Sequence, residues 1–226
     1  MRNKRGSGRL EALSDGVFAF AATLLVVSLE VPRTFSELSN ELFGFVGFGV
    51  SFGALLAIWA VHHAYFRRYA YADGWTITLN GFLLFVVLFF VYPLKFMTGS
   101  LVTRFLPLSG EAYHIGGVAE LGNVFALYSA GFFGVFLAIA LMYRHAAALS
   151  KTLGLDAFEA AEARFLFRHY MLFVLASVAS IALALGGVLV QFGFPGWVYA
   201  LLGPLCWGHG VWSERKLKPL RPAKSA

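Results

Sequence analysis

Four stretches of this 226-residue chain carry no ionised side chain, and their lengths set what it can fold into. Leu42 to Phe66 is 25 residues, Gly74 to Leu94 is 21, Leu121 to Tyr143 is 23 and His169 to Ser213 is 45. A helix crosses a hydrocarbon core of about 30 Å in about 20 apolar residues, so each of the first three suits one crossing. The fourth is long enough for two, and Gly193-Phe194-Pro195-Gly196 within it is a turn signal that neither half could carry through a helix. Ahead of these, Gly16 to Leu29 has only 14 residues and reaches spanning length only if Asp15, and with it Glu30, sits at or inside the membrane boundary. The expected fold is all-α, one polytopic membrane domain over residues 1–226 with six transmembrane helices at approximately 10–30, 42–66, 75–97, 121–143, 169–192 and 197–213. Between them, 144–168 is expected to be a cytoplasmic linker whose mixed-charge helical pattern prolongs the fourth or fifth helix, and 214–226 a basic cytoplasmic tail.

Composition supports this. Only 13% of residues are charged against about 25% in soluble domains, while 59% are hydrophobic, a balance that fits a lipid-facing surface and argues against a soluble enzyme. The single cysteine, Cys206, excludes a disulfide framework and any Cys-x-x-Cys metal site. His62 and His63 are adjacent and point about 100° apart on a helix, and His114, His145, His169 and His209 lack ligand spacing, so no metal or haem site is expected. No Gly-x-Ser-x-Gly elbow or paired membrane aspartates occur in the spans, and no catalysed chemistry is expected. Gly44-Phe45-Val46-Gly47-Phe48-Gly49 and the pair Gly186-Gly187 lie within apolar spans, where close helix packing explains them.

The net charge of +6 is a topology signal. With both termini cytoplasmic, 15 of the 18 Lys and Arg fall inside and only Arg33, Lys95 and Arg104 outside, a strong positive-inside bias. Nucleic-acid binding is not expected. The tail from Ser213 onward, broken by Pro, reads as a juxtamembrane anchor to anionic lipid. The first apolar stretch ends in Ser28-Leu29-Glu30-Val31-Pro32 rather than at a small-residue cleavage site, so it is expected to stay in the mature protein.

The first helix carries the most unusual residues. An ionisable group inside a membrane helix is costly and marks a pathway or an interhelical contact, and Asp15, preceded by Ser14, is the best candidate; as an N-terminal helix residue at the headgroups it would also suit the helix dipole. Leu13, Val17, Phe20, Leu24, Val27 and Val31 recur at steps of 4 and 3, forming one apolar seam. Beside it Gly16, Ala19 and Thr23 form a row of small residues that lets another helix approach closely. Ordinary helix packing accounts for this spacing. Around a symmetry axis, the same seam would line a narrow pore with a Thr23 hydroxyl ring and an acidic mouth at Asp15.

Arg9-Leu10-Glu11-Ala12-Leu13-Ser14-Asp15, then Thr23-Leu24-Leu25 and a closing Val31-Pro32, resemble the first-helix signature of the prokaryotic relatives of transmembrane protein 175, the lysosomal potassium channel. Trp59-Ala60-Val61-His62 with Phe66 is similar to that family's Trp-x-x-His pattern, and Asn80 and Pro93 are similar to its third helix. The resemblance covers the first three helices; the last three match only in number and topology. It implies a homotetramer whose first helices surround a central potassium-permeable pore without a Thr-Val-Gly-Tyr-Gly filter. Carried over by position, it puts the hydrophobic constriction on Phe20, Leu24 and Val27, the selectivity-linked hydroxyl on Thr23, and a signature polar network on Arg9, Ser14, Asp15, Trp59, His62 and Asn80. Leu13 stands where the family has Phe, and Phe20 where a branched aliphatic is usual.

The expected function is therefore a potassium channel of the cell membrane, conducting passively, with no cofactor beyond the permeant potassium ion and no partner beyond its own copies and the lipid bilayer. The alternative is a proton-coupled secondary transporter using Asp15 and His62, although no internal repeat of the kind such transporters carry is found. A third reading is a structural anchor whose basic face holds a partner.

Overall fold

The computed structural model describes residues 4–27, 34–69, 71–105 and 115–221, with side chains described except at 4–6, 27, 36–44 and 103–105. Every element among the described residues is helical: α1 (Lys4–Val27), α2 (Phe35–Tyr69), α3 (Gly74–Phe105), α4 (Val118–Ala148), α5 (Ala157–Leu185), the short α6 (Phe194–Trp197) and α7 (Leu202–Leu217), with single 3-10 turns flanking the last two. Among the described residues, four segments are long and apolar enough to cross a membrane: Phe45–Tyr69, Gly74–Val102, Val118–Ala148 and Ala157–Leu185. The 16 residues of α7 rise only about 24 Å.

The helices run past the charge-free stretches. Charge does not end a helix in water, so α4 continues to Ala148 and α5 starts at Ala157, leaving only 149–156 of the expected linker non-helical or in turns. The start of α5 is set by a capping box: the Asp156 carboxylate accepts the Glu159 backbone N–H at 2.7 Å, and the Glu159 carboxylate accepts that of Asp156 at 3.2 Å. Its end falls at Leu185 rather than 192, which corrects the role expected for the glycine pair. Gly187 takes φ +68° and nothing lies near its missing Cβ, so it stops the helix instead of admitting a neighbour. Gly193, at φ +71°, makes the expected turn before Pro195 in the first turn of α6. Tyr199 in the next 3-10 turn donates its hydroxyl to Ser129 of α4 at 2.8 Å, and Ser129 donates to Ser180 of α5 at 2.8 Å, which ties the broken stretch to both helices.

α1 packs on α2 and α3, α3 packs on α4, and α4 on α5, with α7 against α5. The α3–α4 seam joins the two groups. There Gly134 lies so close to α3 that a Cβ would sit 2.9 Å from Val86, and Gly131 faces the Phe90 ring in the same way. Gly47 performs the close-approach role expected of it: a Cβ there would sit 3.3 Å from the Gly99 Cα of α3. At one end of the seam lies a buried cluster of Tyr65, Tyr69, Tyr143 and Tyr170 from α2, α4 and α5. Two ion pairs border it: Arg68 with Glu162, and Asp73 with His145 at 2.8 Å.

Asp73 precedes α3 and accepts the Thr76 backbone N–H at 2.8 Å, capping that helix. Partial burial pushes its carboxyl up, but the hydrogen bonds from Thr76 and His145 outweigh this and hold it below the usual carboxylate value. A depressed folded-state value means stability that is present at neutral pH and lost as the pH falls below 3.8 toward the folded value. Asp73→Ala is expected to lower the heat stability of the detergent-solubilised protein at neutral pH by roughly 1 kcal/mol, the difference from the parent shrinking in acid. In the same assay Gly134→Leu is expected to cost about 1–3 kcal/mol by overpacking against Val86. Gly53→Ala, with open space around the new methyl group, should cost nothing.

Candidate pore helix and its polar clasp

Which face of α1 is covered follows from what α2 and α3 press against it. Ser14, Phe18, Ala21 and Leu25 are buried, at steps of 4, 3 and 4. The opposite face is open: Leu13 is 59% exposed, Phe20 56% and Val26 49%, with Gly16, Ala19 and Thr23 exposed between them. Among the described residues nothing covers this row of small and apolar side chains. The seam expected from spacing is thus split. Leu13 and Phe20 lie on the open face, whereas Val17 and Leu24 sit half-buried against the core. The side chain of Val27, and Val31 altogether, lie outside the described residues. The small-residue row, read as the neighbour of the seam, is the middle of the open face.

Thr23 donates its hydroxyl to the Phe20 carbonyl at 2.7 Å. That satisfies its one proton and leaves the oxygen as an acceptor on the open face.

On the covered face a chain of polar groups fixes the rotation of α1. Ser14 donates to the Leu10 carbonyl at 2.8 Å and accepts from the Asn80 amide of α3 at 3.0 Å. The Asn80 carbonyl oxygen lies 2.8 Å from His62 Nε2 of α2. Because Asn80 uses its NH₂ on Ser14, its oxygen accepts, and the network assigns the proton to His62 Nε2. The His62 ring lies between Phe18 and Phe66, with centroids 5.5 and 4.8 Å away. Beside this chain Trp59 of α2 donates its indole N–H to Asp15 at 2.8 Å. Five of the six signature residues are thus brought together in bonded contact. The sixth, Arg9, is exposed on α1 ahead of them.

One pair was not anticipated from the sequence. His63 Nδ1 lies 3.3 Å from the Glu11 carboxylate, and the His63 ring stacks on Trp59 with centroids 5.4 Å apart. The sequence held a signal for it: Glu11 and Asp15 are four apart on α1, as Trp59 and His63 are on α2, so two parallel rungs can form. His169 and His209 also approach, with ring centroids at 5.5 Å, yet no three His, Cys, Asp or Glu side chains among the described residues converge to hold a metal.

Comparison with known proteins places this geometry. Residues 9–90, which hold α1, α2 and the first half of α3, match the family described as the endosomal/lysosomal potassium channel TMEM175. A protein of Marivirga tractuosa named a potassium channel is 35% identical over 161 residues, 67% of this chain and 64% of that protein. The chain therefore aligns with just under two thirds of that relative's length. A potassium channel of Chamaesiphon minutus is 30% identical over 159 residues, 65% of this chain and 69% of that one. Among solved structures, a threonine-to-alanine variant of the potassium channel MtTMEM175, crystallised with a nanobody–MBP fusion, superposes with a TM-score of 0.80 at 29% identity. That superposition covers 92% of this chain and 93% of the other, so the likeness extends through the last three helices, where the sequence motifs are silent. A lysosomal potassium-selective TMEM175 homologue from Chamaesiphon minutus gives a TM-score of 0.52 at 26% identity over 87% and 97% of the two chains. In sequence over the first helices and in architecture over nearly its whole length, the chain belongs to the TMEM175 family.

Proposed function

We propose that the chain is a potassium-permeable cation channel of the cell membrane, with both termini cytoplasmic. Four copies bring the open faces of α1 together around a common axis. The observation that carries this reading is the open face itself: on a helix whose other side is locked by Ser14, Asn80 and His62, a row of apolar and small residues is left without cover. The names of the relatives, all potassium channels, supply the ion. The excess of Lys and Arg beside the termini, in the last turn of α2 and around the junction of α4 with α5 supplies the orientation.

In this arrangement Phe20 and Thr23 face the axis. Val27, one turn after Thr23, and Leu24, half-buried at the edge of the open face, complete the narrow apolar section. A ring of apolar side chains forces an ion to shed part of its water. That costs less for potassium than for the more strongly hydrated sodium, and the Thr23 oxygens offset part of the cost. Asp15, held by Trp59, places a carboxylate at the cytoplasmic end of α1, where negative charge concentrates cations. The chain performs no catalysis and needs no cofactor; its partners are its own copies and the bilayer. The transporter reading has less support, because Asp15 is bonded to Trp59 while His62 is bonded to Asn80, so the two do not form one relay.

Two outcomes test the assignment. In liposomes, potassium flux through the parent is expected to exceed sodium flux, and Thr23→Ala to narrow the ratio roughly five-fold, the equivalent of losing one hydroxyl worth about 1 kcal/mol. A Thr23→Ala channel with the parent's ratio and magnitude would remove Thr23 from the filter, and saturable, proton-driven uptake would favour the transporter. In a Cys206→Ser background, Phe20→Cys and Thr23→Cys are expected to be blocked by a water-soluble thiol reagent during conduction. Ala21→Cys, on the buried face, should not react.

A further inference from the structure

Resting on that channel reading, we propose that Glu11 is a second anionic residue of the cytoplasmic cation entrance and that His63 sets its effective charge. The two acids of α1 lie one helical turn apart on the flank that meets α2. Each is held by a ring of α2: Asp15 by Trp59 at 2.8 Å and Glu11 by His63 at 3.3 Å, the two rings themselves stacked. The rungs look alike but differ in one respect. An indole N–H takes up no proton at any physiological pH, so Trp59 cannot change the charge of its rung. An imidazole gains a proton near neutrality, so the Glu11 rung presents one negative charge when His63 is neutral and none when it is protonated.

Both side chains of the second rung remain in reach of water, His63 at 41% exposure and Glu11 at 29%, so protons reach the pair without any helix moving. Among the described side chains, α1 contributes Glu11, Asp15 and, two residues earlier, Arg9 to the surroundings of the pair. α2 contributes His62, which is buried and bonded to Asn80 of α3, and Arg67 one turn further on. Of these, His63 is the one that is both exposed and in contact with an acid of α1. Four copies around the axis would change the charge at the mouth by four units.

The test is potassium efflux from liposomes holding the full-length protein, with equal pH on both sides, at about pH 8 and about pH 5.5, which bracket the ordinary histidine range. Parent flux is expected to fall roughly three-fold in acid as the mouth loses its attraction for cations. His63→Gln should keep the high flux at both pH values. Glu11→Gln should show the low flux at both, and His63→Lys, which fixes the positive charge, should show at about pH 8 the flux the parent has in acid. Parent flux equal at both pH values, or a His63→Gln channel that retains the parent's fall, would overturn the assignment while leaving the channel reading intact. A parent that conducts no potassium at either pH overturns both.

Discussion

The hydroxyl of Ser14 is fully buried, and a polar group without water must find a partner or cost about 1–3 kcal/mol. It finds one in Asn80, and Asn80 finds the next in His62, so three helices are joined by two side-chain bonds. Apolar contacts resist a turn of α1 in proportion to the burial they lose, whereas a hydrogen bond of 3.0 Å is broken by a small rotation. The rotation of α1 is the quantity on which the open face depends, and polar groups on the covered side fix it.

α3 is the element through which the rest is held. It receives α1 at Asn80, takes α2 at Gly99, and presents Val86 and Phe90 to the glycines of α4. α4 carries the glycines against which α3 is seated. At the other end of α3, Asp73 caps the helix and reaches His145 on α4, so the turn leaving α2 is tied to the second group of helices as well.

The number and placement of the helices were legible because a membrane asks one coarse question of a sequence, whether about 20 residues pass without charge. Their ends were not, because the ends lie in water, where Asp156 can start a helix among charges and Gly187 can stop one among apolar residues. Asp15 was legible as a type, since a carboxylate is costly in lipid unless bonded, and Ser14, Trp59, His62 and Asn80 joined it through the family resemblance. Their pairing was not legible: the transporter alternative set Asp15 and His62 in one relay, whereas one binds Trp59 and the other Asn80. The open face was half legible. A step of 4 and 3 identifies a stripe, but Gly16, Ala19 and Thr23 make one as regular as Leu13, Val17, Phe20 and Leu24, and only the neighbours decide which is covered.

The bond between Ser14 and Asn80 spans 66 positions of the chain. A ribosome adding about 5–20 residues per second delivers the second partner roughly 3–13 seconds after the first. Throughout that interval α1, with Glu11 and Asp15 in its leading half, lacks the partners that satisfy its polar side. α1 is made before α2 and α3, yet the bonds that hold it exist only once both lie beside it. A segment synthesised early is thus secured by side chains that only later segments supply.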